Sequence, residues 1–301
     1  MSQKGISKLT KSLQTTDTDE EEIRSFHNDL SIITDNNLVN IPREFLFELP
    51  KISHDYNKVH TNIEVAKRAG FEDIVIPGSL ILAYLERYIL DFSGVINEFV
   101  GETFVYAGQN LKFTSPLYPE KDAKWEFGKT KSYSDGFDLE INLLNPLRKK
   151  IVEGTSKFRH RRVNPTSGDY EKFDTGRNII EKEYEIFKEK KRDNLKPFYK
   201  FIQKPSKNGV PLSYPAMYII STALDKSIIG ESESPGSYRE LDLNFHNQPG
   251  LGDYKTIIRL SETPKSRRKL NIYNFNAKVS QENKPIIFGK LKCVSEIKFN
   301  L

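Results

Sequence analysis

Two kinds of hydrophobic pattern alternate along the chain, and together they predict an α+β fold. Residues 78–92 are apolar almost without interruption and begin with a glycine, which predicts a long helix buried on nearly all sides. The segments that follow instead alternate apolar and polar residues with a period of two, which predicts antiparallel strands. These predicted strands are 111–114, 125–131, 137–143 and 150–158.

The same order of elements recurs in the second half of the chain. Residues 214–224 form a second apolar segment, with a proline where a helix tolerates one, in its first turn. Further strands are predicted at 241–245, 254–260, 271–278 and 286–299, with a hairpin turn at 281–284. This repeated layout predicts two similar units, each an antiparallel sheet wrapped around one buried helix.

Changes in composition predict where the units begin and end. The start of the chain carries scattered lysines and then the acidic run Asp17–Glu22, which is typical of a solvated tail. The predicted divisions are a polar tail at 1–25, a first unit at 26–165, a linker at 166–179 and a second unit at 180–301. The strongly charged segment 180–192 is predicted to be a surface helix.

A short helix is predicted between the polar residues near position 60 and the long apolar segment. Thr61 and Glu64 have the spacing of a capping box, so this helix is expected to begin at Asn62 and to end near Ala69. Gly70 follows as the residue that terminates it.

Charge and cysteine content exclude several classes of function. The 301 residues include 46 basic and 41 acidic residues, and this scattered excess of +5 does not predict a nucleic-acid-binding protein. The only cysteine is Cys293, so the chain forms no internal disulfide, which suits a reducing compartment. No apolar run approaches the roughly 20 residues that span a bilayer. A cytoplasmic location is therefore expected, and the arginine-free start makes a mitochondrial presequence the weaker alternative.

The segment 53–60 carries the best candidate chemistry. Asp55 and His60 place a carboxylate and an imidazole five residues apart, and such a pair can activate one water molecule. Gly78 begins the long buried helix, where its backbone N–H can stabilise a developing oxyanion and its missing side chain lets a substrate approach the backbone closely. Asn57 is expected to orient the loop that carries Asp55.

Each of these residues also has a simpler interpretation. Asp55 and Asn57 are ordinary turn residues whose side chains bond nearby backbone. His60 can be a loop histidine whose hydrogen bonds are satisfied, and Gly78 can be a glycine that merely starts a helix. The functional hypothesis depends on their joint occurrence, in this order, before a buried helix.

These residues resemble the motif of a known family. Asp55-x-Asn57-x-x-His60, then Ala66, Gly70-Phe71 and Pro77-Gly78 before a buried helix, are similar to the pattern of MaoC-like (R)-specific enoyl-CoA hydratases and 3-hydroxyacyl-thioester dehydratases. The resemblance is dense over 53–92 and continues as a strand pattern to about residue 160. It implies a double hot-dog fold, catalytic roles for Asp55 and His60, and an oxyanion role for Gly78.

The chain departs from the family pattern at three positions. Lys58 stands where the family has proline, Pro77 where it has histidine, and His54 where it has glycine. None of these changes removes a group that performs chemistry, but they put substrate and rate in question. In the second half, Asp242, His246 and Asp253 lack the motif spacing, so that unit is expected to be non-catalytic.

The expected partner is an acyl-CoA or acyl-carrier-protein thioester. Arg159, Arg161 and Arg162 are candidates for its phosphates, although a charged strand end is more commonly a solvated rim. No P-loop, Rossmann or metal-ligand pattern is present, so neither cofactor nor metal is expected. The predicted function is that of a hydro-lyase, and a homodimer of double hot-dogs is a further expectation. The alternatives are a hot-dog acyl thioesterase and a non-catalytic acyl-thioester binding protein.

Overall fold

Antiparallel strands from both halves of the chain join in one sheet. The computed structural model describes residues 37–53, 55, 57–100, 104–160, 177–186, 237–247, 252–261, 264–267 and 270–295. The helices within these ranges are α1 (Arg43–Ser53), α2 (Ile63–Arg68) and α3 (Gly78–Val100), with a short 3-10 helix at Lys58–His60.

The strands within the described ranges are β1 (Leu38–Val39), β2 (Val105–Phe113), β3 (Ala123–Tyr133), β4 (Gly136–Leu144), β5 (Lys150–Arg159), β6 (Arg177–Ile186), β7 (Ser237–Phe245), β8 (Gly252–Leu260), β9 (Lys265–Arg267), β10 (Leu270–Gln281) and β11 (Lys284–Ser295). Their spatial order is β1-β3-β4-β5-β2-β7-β11-β10-β8-β6, and β9 pairs with β10. The first-half strands thus occupy one side of the sheet and the second-half strands the other.

Helix α3 supplies the core of the first half. Its first three turns bury nearly every apolar side chain, as the uninterrupted apolar pattern predicts: Leu80, Ile81, Leu82, Ala83, Leu85, Tyr88 and Ile89. The Tyr88 ring stacks on Phe127 of β3, with 4.7 Å between the ring centroids. Burying each large side chain contributes about 1.5–3 kcal/mol, so this contact of helix with sheet is a main source of stability.

The two halves meet where β2 pairs with β7. The pairing runs from Gly108 opposite Asn244 to Lys112 opposite Glu240. On the other side of β2, Lys157 of β5 is the partner of Gly108. The Lys157 ammonium donates to Asp242 Oδ1 at 2.9 Å and to Asn244 Oδ1 at 3.0 Å. The lysine therefore crosses β2 at a residue without a side chain and ties the halves together.

Most of the strand predictions are confirmed. The period-two segments correspond to β2–β5, β7, β8, β10 and the described part of β11, although β2 begins earlier than predicted, at Val105. The predicted hairpin turn is also confirmed. Glu282 (φ 48°) and Asn283 (φ 64°) link β10 to β11, as a two-residue type I′ turn requires.

The predicted surface helix at 180–192 is wrong over its described part. Residues 177–186 form β6, which pairs antiparallel with β8. The glutamates and lysines of this segment favour a helix by intrinsic propensity, but pairing with β8 overrides that preference. The second apolar helix predicted at 214–224 and the tail at 1–25 lie outside the described residues. Within the described ranges, no helix has the combination of length and hydrophobicity that crossing a membrane requires.

Helix α2 is capped differently from the prediction. Asn62, not Thr61, is the N-terminal cap, because its side-chain oxygen accepts the N–H groups of Glu64 at 3.0 Å and Val65 at 3.1 Å. The predicted terminator is confirmed. Gly70 adopts φ +84°, and the Phe71 N–H donates to the Ala66 carbonyl, which is the bond of a Schellman motif.

We expect Asn62→Ala to lower the free energy of unfolding by about 1 kcal/mol, since two backbone donors lose their acceptor. Thr61→Ala is the matched control and should change it by less than half as much. Urea denaturation followed by circular dichroism measures both, and equal losses would contradict the observed cap.

Candidate active site

The Asp-x-Asn motif folds as two consecutive turns that point Asp55 toward His60. Asp55 Oδ1 accepts the backbone N–H of Asn57 at 3.2 Å, and Asn57 Oδ1 accepts that of Val59 at 3.1 Å. Asn57 thereby caps the 3-10 helix that ends at His60. The turn role and the orienting role proposed for these residues are therefore compatible, because Asp55 Oδ1 forms the turn while Oδ2 faces the imidazole.

Asp55 and His60 come together as a half-enclosed pair. His60 Nε2 lies 3.7 Å from Asp55 Oδ2, and the side chains are only 13% and 9% exposed. This separation exceeds a direct hydrogen bond, which spans about 2.7–3.2 Å. The nitrogen and the oxygen of a pair at this distance can both contact one water molecule that lies beside the line joining them.

The opposite edge of the imidazole is fixed by backbone. His60 Nδ1 lies 2.6 Å from the carbonyl oxygen of Val75. A carbonyl oxygen only accepts, so Nδ1 carries the proton in this contact. In the neutral ring Nε2 is then the free base, and it is the nitrogen that faces Asp55. The Val75 N–H also donates to the Val59 carbonyl at 3.0 Å, which secures both sides of this contact.

Gly78 follows three residues after Val75, whose carbonyl contacts His60. Three residues span at most about 10 Å. The Pro77 carbonyl accepts the N–H groups of Leu80 and Ile81 and so caps α3. As the first residue of the helix, Gly78 has an N–H without an intrahelical acceptor. A Cβ atom at this position would lie 3.2 Å from the Phe113 ring, so a larger residue would crowd that ring.

The segment that joins α2 to α3 is anchored at several points. Ile76 N–H donates to the Leu117 carbonyl at 2.8 Å, and Glu72 N–H to the Tyr118 hydroxyl at 3.2 Å. Asp73 forms a bidentate ion pair with Arg43, in which Arg43 Nη1 lies 3.0 Å from Asp73 Oδ1. The hydrogen bond from Arg43 holds the pKa of the Asp73 carboxyl below its usual value.

We expect the Arg43–Asp73 pair to make stability depend on acid pH. Because the folded-state pKa of Asp73 is lowered, its contribution is complete above the unfolded value of about 3.9 and is lost as pH falls below it. The difference in thermal midpoint between the wild type and Asp73→Asn should therefore shrink from pH 6 to pH 3. A difference that is constant over this range contradicts the prediction.

The predicted phosphate residues are only partly described. Arg159 Nη1 donates to Asp138 Oδ1 at 2.9 Å and to the backbone carbonyls of Phe137 and Phe158. Its guanidinium is thus already engaged by β4 and β5, and the side chain is only 18% exposed. Arg161 and Arg162 lie outside the described residues, so a phosphate role for the three arginines stays a prediction.

Solved structures share this architecture over most of the chain. A structure described as a MaoC-like dehydratase superposes with a TM-score of 0.58 at 11% identity, over 86% of this chain and 95% of its own. A conserved Mycobacterium tuberculosis protein described as having a double hot-dog fold gives 0.58 at 5% identity, over 86% and 93%. The chain has a double hot-dog fold. The predicted α+β class and double hot-dog fold are confirmed.

Two curated proteins are similar in sequence to a shorter part of this chain. It is 38% identical over 69 residues to the tomato (Solanum lycopersicum) protein named 3-hydroxyacyl-[acyl-carrier-protein] dehydratase FERN, mitochondrial, and 36% identical over 69 residues to an Arabidopsis thaliana mitochondrial dehydratase of the same type. The match covers 23% of this chain and 36% of each relative, so the chain spans about a third of the relatives' length. No family model matches the chain.

A thioesterase also shares the double hot-dog architecture. The 12:0-ACP thioesterase of Umbellularia californica superposes with a TM-score of 0.50 at 8% identity, over 73% of this chain and 91% of its own. At this identity the likeness concerns the fold. The choice between the two reactions therefore rests on the residues of the site.

Sequence reasoning missed three groups near the pair. The Val75 carbonyl carries no sequence signal, because any residue supplies one. Phe113 could have been identified as the inward-facing end of a predicted strand. The Arg43–Asp73 pair joins residues 30 positions apart, and neither lies in a motif. Ser79 is also notable, because its buried hydroxyl has no hydrogen-bond partner among the residues that the structure describes.

Proposed function

We propose that the chain catalyses the reversible hydration of trans-2-enoyl thioesters to (R)-3-hydroxyacyl thioesters. The observation that carries the proposal is the geometry of His60, whose Nδ1 is bound to the Val75 carbonyl while Nε2 faces Asp55 Oδ2 across 3.7 Å. This arrangement offers one base and one acceptor to the same water molecule. The names of the curated relatives support the same class of reaction.

The proposed reaction balances without a cofactor. Asp55 accepts one O–H of the bound water and orients it, and His60 Nε2 takes the other proton as the oxygen bonds to C3. The electron pair of the C2=C3 bond moves into an enolate, whose oxygen accepts the N–H of Gly78 at the positive end of α3. The imidazolium then returns its proton to C2, and both side chains are restored.

One assay separates this reaction from the alternatives. Crotonyl-CoA is incubated with the full chain while the enoyl absorbance and the release of free thiol are recorded together. Loss of the enoyl absorbance without thiol supports the hydro-lyase. Release of thiol would instead identify an acyl thioesterase, and saturable binding without either reaction would identify an acyl-thioester binding protein.

Carrier, compartment and assembly belong to the same proposal. The acyl group of the substrate is proposed to be attached to CoA or to an acyl carrier protein. The names of the two plant relatives favour the acyl carrier protein. Those relatives are named mitochondrial, which favours the alternative to the cytoplasmic location expected from the sequence. The homodimer stays a prediction that sedimentation of the purified chain tests.

A further inference from the structure

We propose that Arg43 and Asp73 are positioning residues for His60. The proposal begins at the imidazole, whose Nδ1 is held by the carbonyl of Val75 at 2.6 Å. That carbonyl is a backbone group, so its position is set by whatever holds the chain at 73–76. The contacts that hold this segment therefore also determine the orientation and the tautomer of the His60 ring.

The Arg43–Asp73 pair fixes one end of that segment. Arg43 is the first residue of α1, and its two terminal nitrogens contact both carboxylate oxygens of Asp73. Asp73 Oδ1 also accepts the N–H of Ile74 at 2.7 Å, so the same carboxylate orients the Asp73–Ile74 peptide, two peptide groups before the one that contains the Val75 carbonyl. A bidentate guanidinium–carboxylate contact defines geometry more strictly than a single charge pair.

The two groups remain partly screened from water. Their side chains are 36% and 25% exposed, so dissolved ions screen the attraction between the two charges only in part. Lys121 adds positive charge near Asp73, and Glu120 adds negative charge near Arg43. The environment therefore favours the charged form of both partners.

The other contacts of the segment do not replace this one. Val75 N–H to the Val59 carbonyl and Ile76 N–H to the Leu117 carbonyl hold the segment beyond Asp73. Loss of the ion pair should consequently loosen the segment at one end rather than release it. A displacement of about 1 Å in a catalytic group can cost up to about 100-fold in rate. We expect a loss of about 10-fold in kcat for the partial loosening.

The structure provides a matched control pair. Arg148 and Glu126 form another bidentate contact, with nitrogen–oxygen distances of 3.0 and 2.9 Å. They join the turn after β4 to β3, and no hydrogen bond or ion pair among the described residues links either of them to the 73–76 segment. Arg148→Gln therefore removes a pair of the same chemistry without touching the route to His60.

The kinetic test compares Asp73→Asn, Arg43→Gln and Arg43→Lys with Arg148→Gln on crotonyl-CoA. The first two should lower kcat about 10-fold while KM changes by less than about 2-fold, since the binding groups are unchanged. Arg43→Lys should recover part of the rate, because it restores the charge without the bidentate geometry. Arg148→Gln should retain the wild-type kcat. Equal effects in Asp73→Asn and Arg148→Gln would overturn the proposal.

A second readout does not depend on activity, although the kinetic one rests on the proposed function. The ¹⁵N shifts of the His60 ring report which nitrogen carries the proton. For the neutral ring, the wild type should show a single Nδ1–H form, and Asp73→Asn should show averaging with the Nε2–H form. An unchanged ring spectrum in Asp73→Asn rejects the positioning role. An inactive wild type with the expected ring spectra rejects the proposed reaction alone.

Discussion

Asp55→Asn and His60→Ala should each lower kcat/KM for hydration of a trans-2-enoyl-CoA by about 10²–10⁴-fold. Asparagine keeps the size and the turn-forming oxygen of Asp55 but loses the negative charge that orients water. Alanine removes the imidazole that takes the proton from the water in the proposed reaction. The measurement is the initial rate of loss of enoyl absorbance at substrate concentrations well below KM.

The double variant separates a working pair from two independent groups. Because both side chains act on one water, the combined loss should be close to the larger single loss and not to the product of the two. Asp253→Asn and His246→Gln, in the half expected to be non-catalytic, are the controls and should retain activity within about 3-fold. Wild-type rates in Asp55→Asn would remove the site from consideration.

Gly108→Ala should be the most destabilising single substitution at the contact between the halves. A Cβ atom there would lie 2.4 Å from the Leu243 carbonyl oxygen, which is backbone of the paired strand and cannot rotate away. Relief requires β2 and β7 to separate, so we expect a loss of about 3 kcal/mol or more. For a chain of this size the thermal midpoint should fall by roughly 6–12 °C.

Gly70→Ala distinguishes this steric cost from the loss of glycine's flexibility. Gly70 has φ +84° and nothing within 4 Å of the added atom, so only the backbone conformation opposes alanine. That cost is about 1–2 kcal/mol. Differential scanning calorimetry of both variants gives the comparison, and a smaller loss at Gly108 than at Gly70 contradicts the predicted clash.

Local patterns predicted the parts of the fold that local interactions determine. The period of two in β3, β4 and β5 reflects burial of one face, and the unbroken apolar run of α3 reflects burial on nearly all sides. The failure at 180–192 has the opposite cause, because β6 is a strand through its backbone pairing with β8, which is distant in sequence. The error at the α2 cap is one of a single position, since Thr61 and Asn62 are both good capping residues.

The side chains of the candidate site could be predicted from the sequence, but the groups that hold them in place could not. Asp55, Asn57 and His60 lie within six residues, so their spacing carries the motif directly. The Val75 carbonyl and the Arg43–Asp73 pair come from chain segments that only tertiary structure brings beside the motif. The joining of two sheets into one through β2 and β7 was likewise invisible, because Gly108 and Lys157 have no unusual local pattern.

The pairing of β2 with β7 also limits how the protein can be dissected. A first half prepared without β7 would expose the N–H and C=O groups of β2 from Gly108 to Lys112, which are now paired with the second half. Such an uncovered edge is a template for pairing with other chains. We expect the isolated first half to aggregate. Even a non-catalytic second half would therefore keep the first half soluble, because β7 covers the edge of β2.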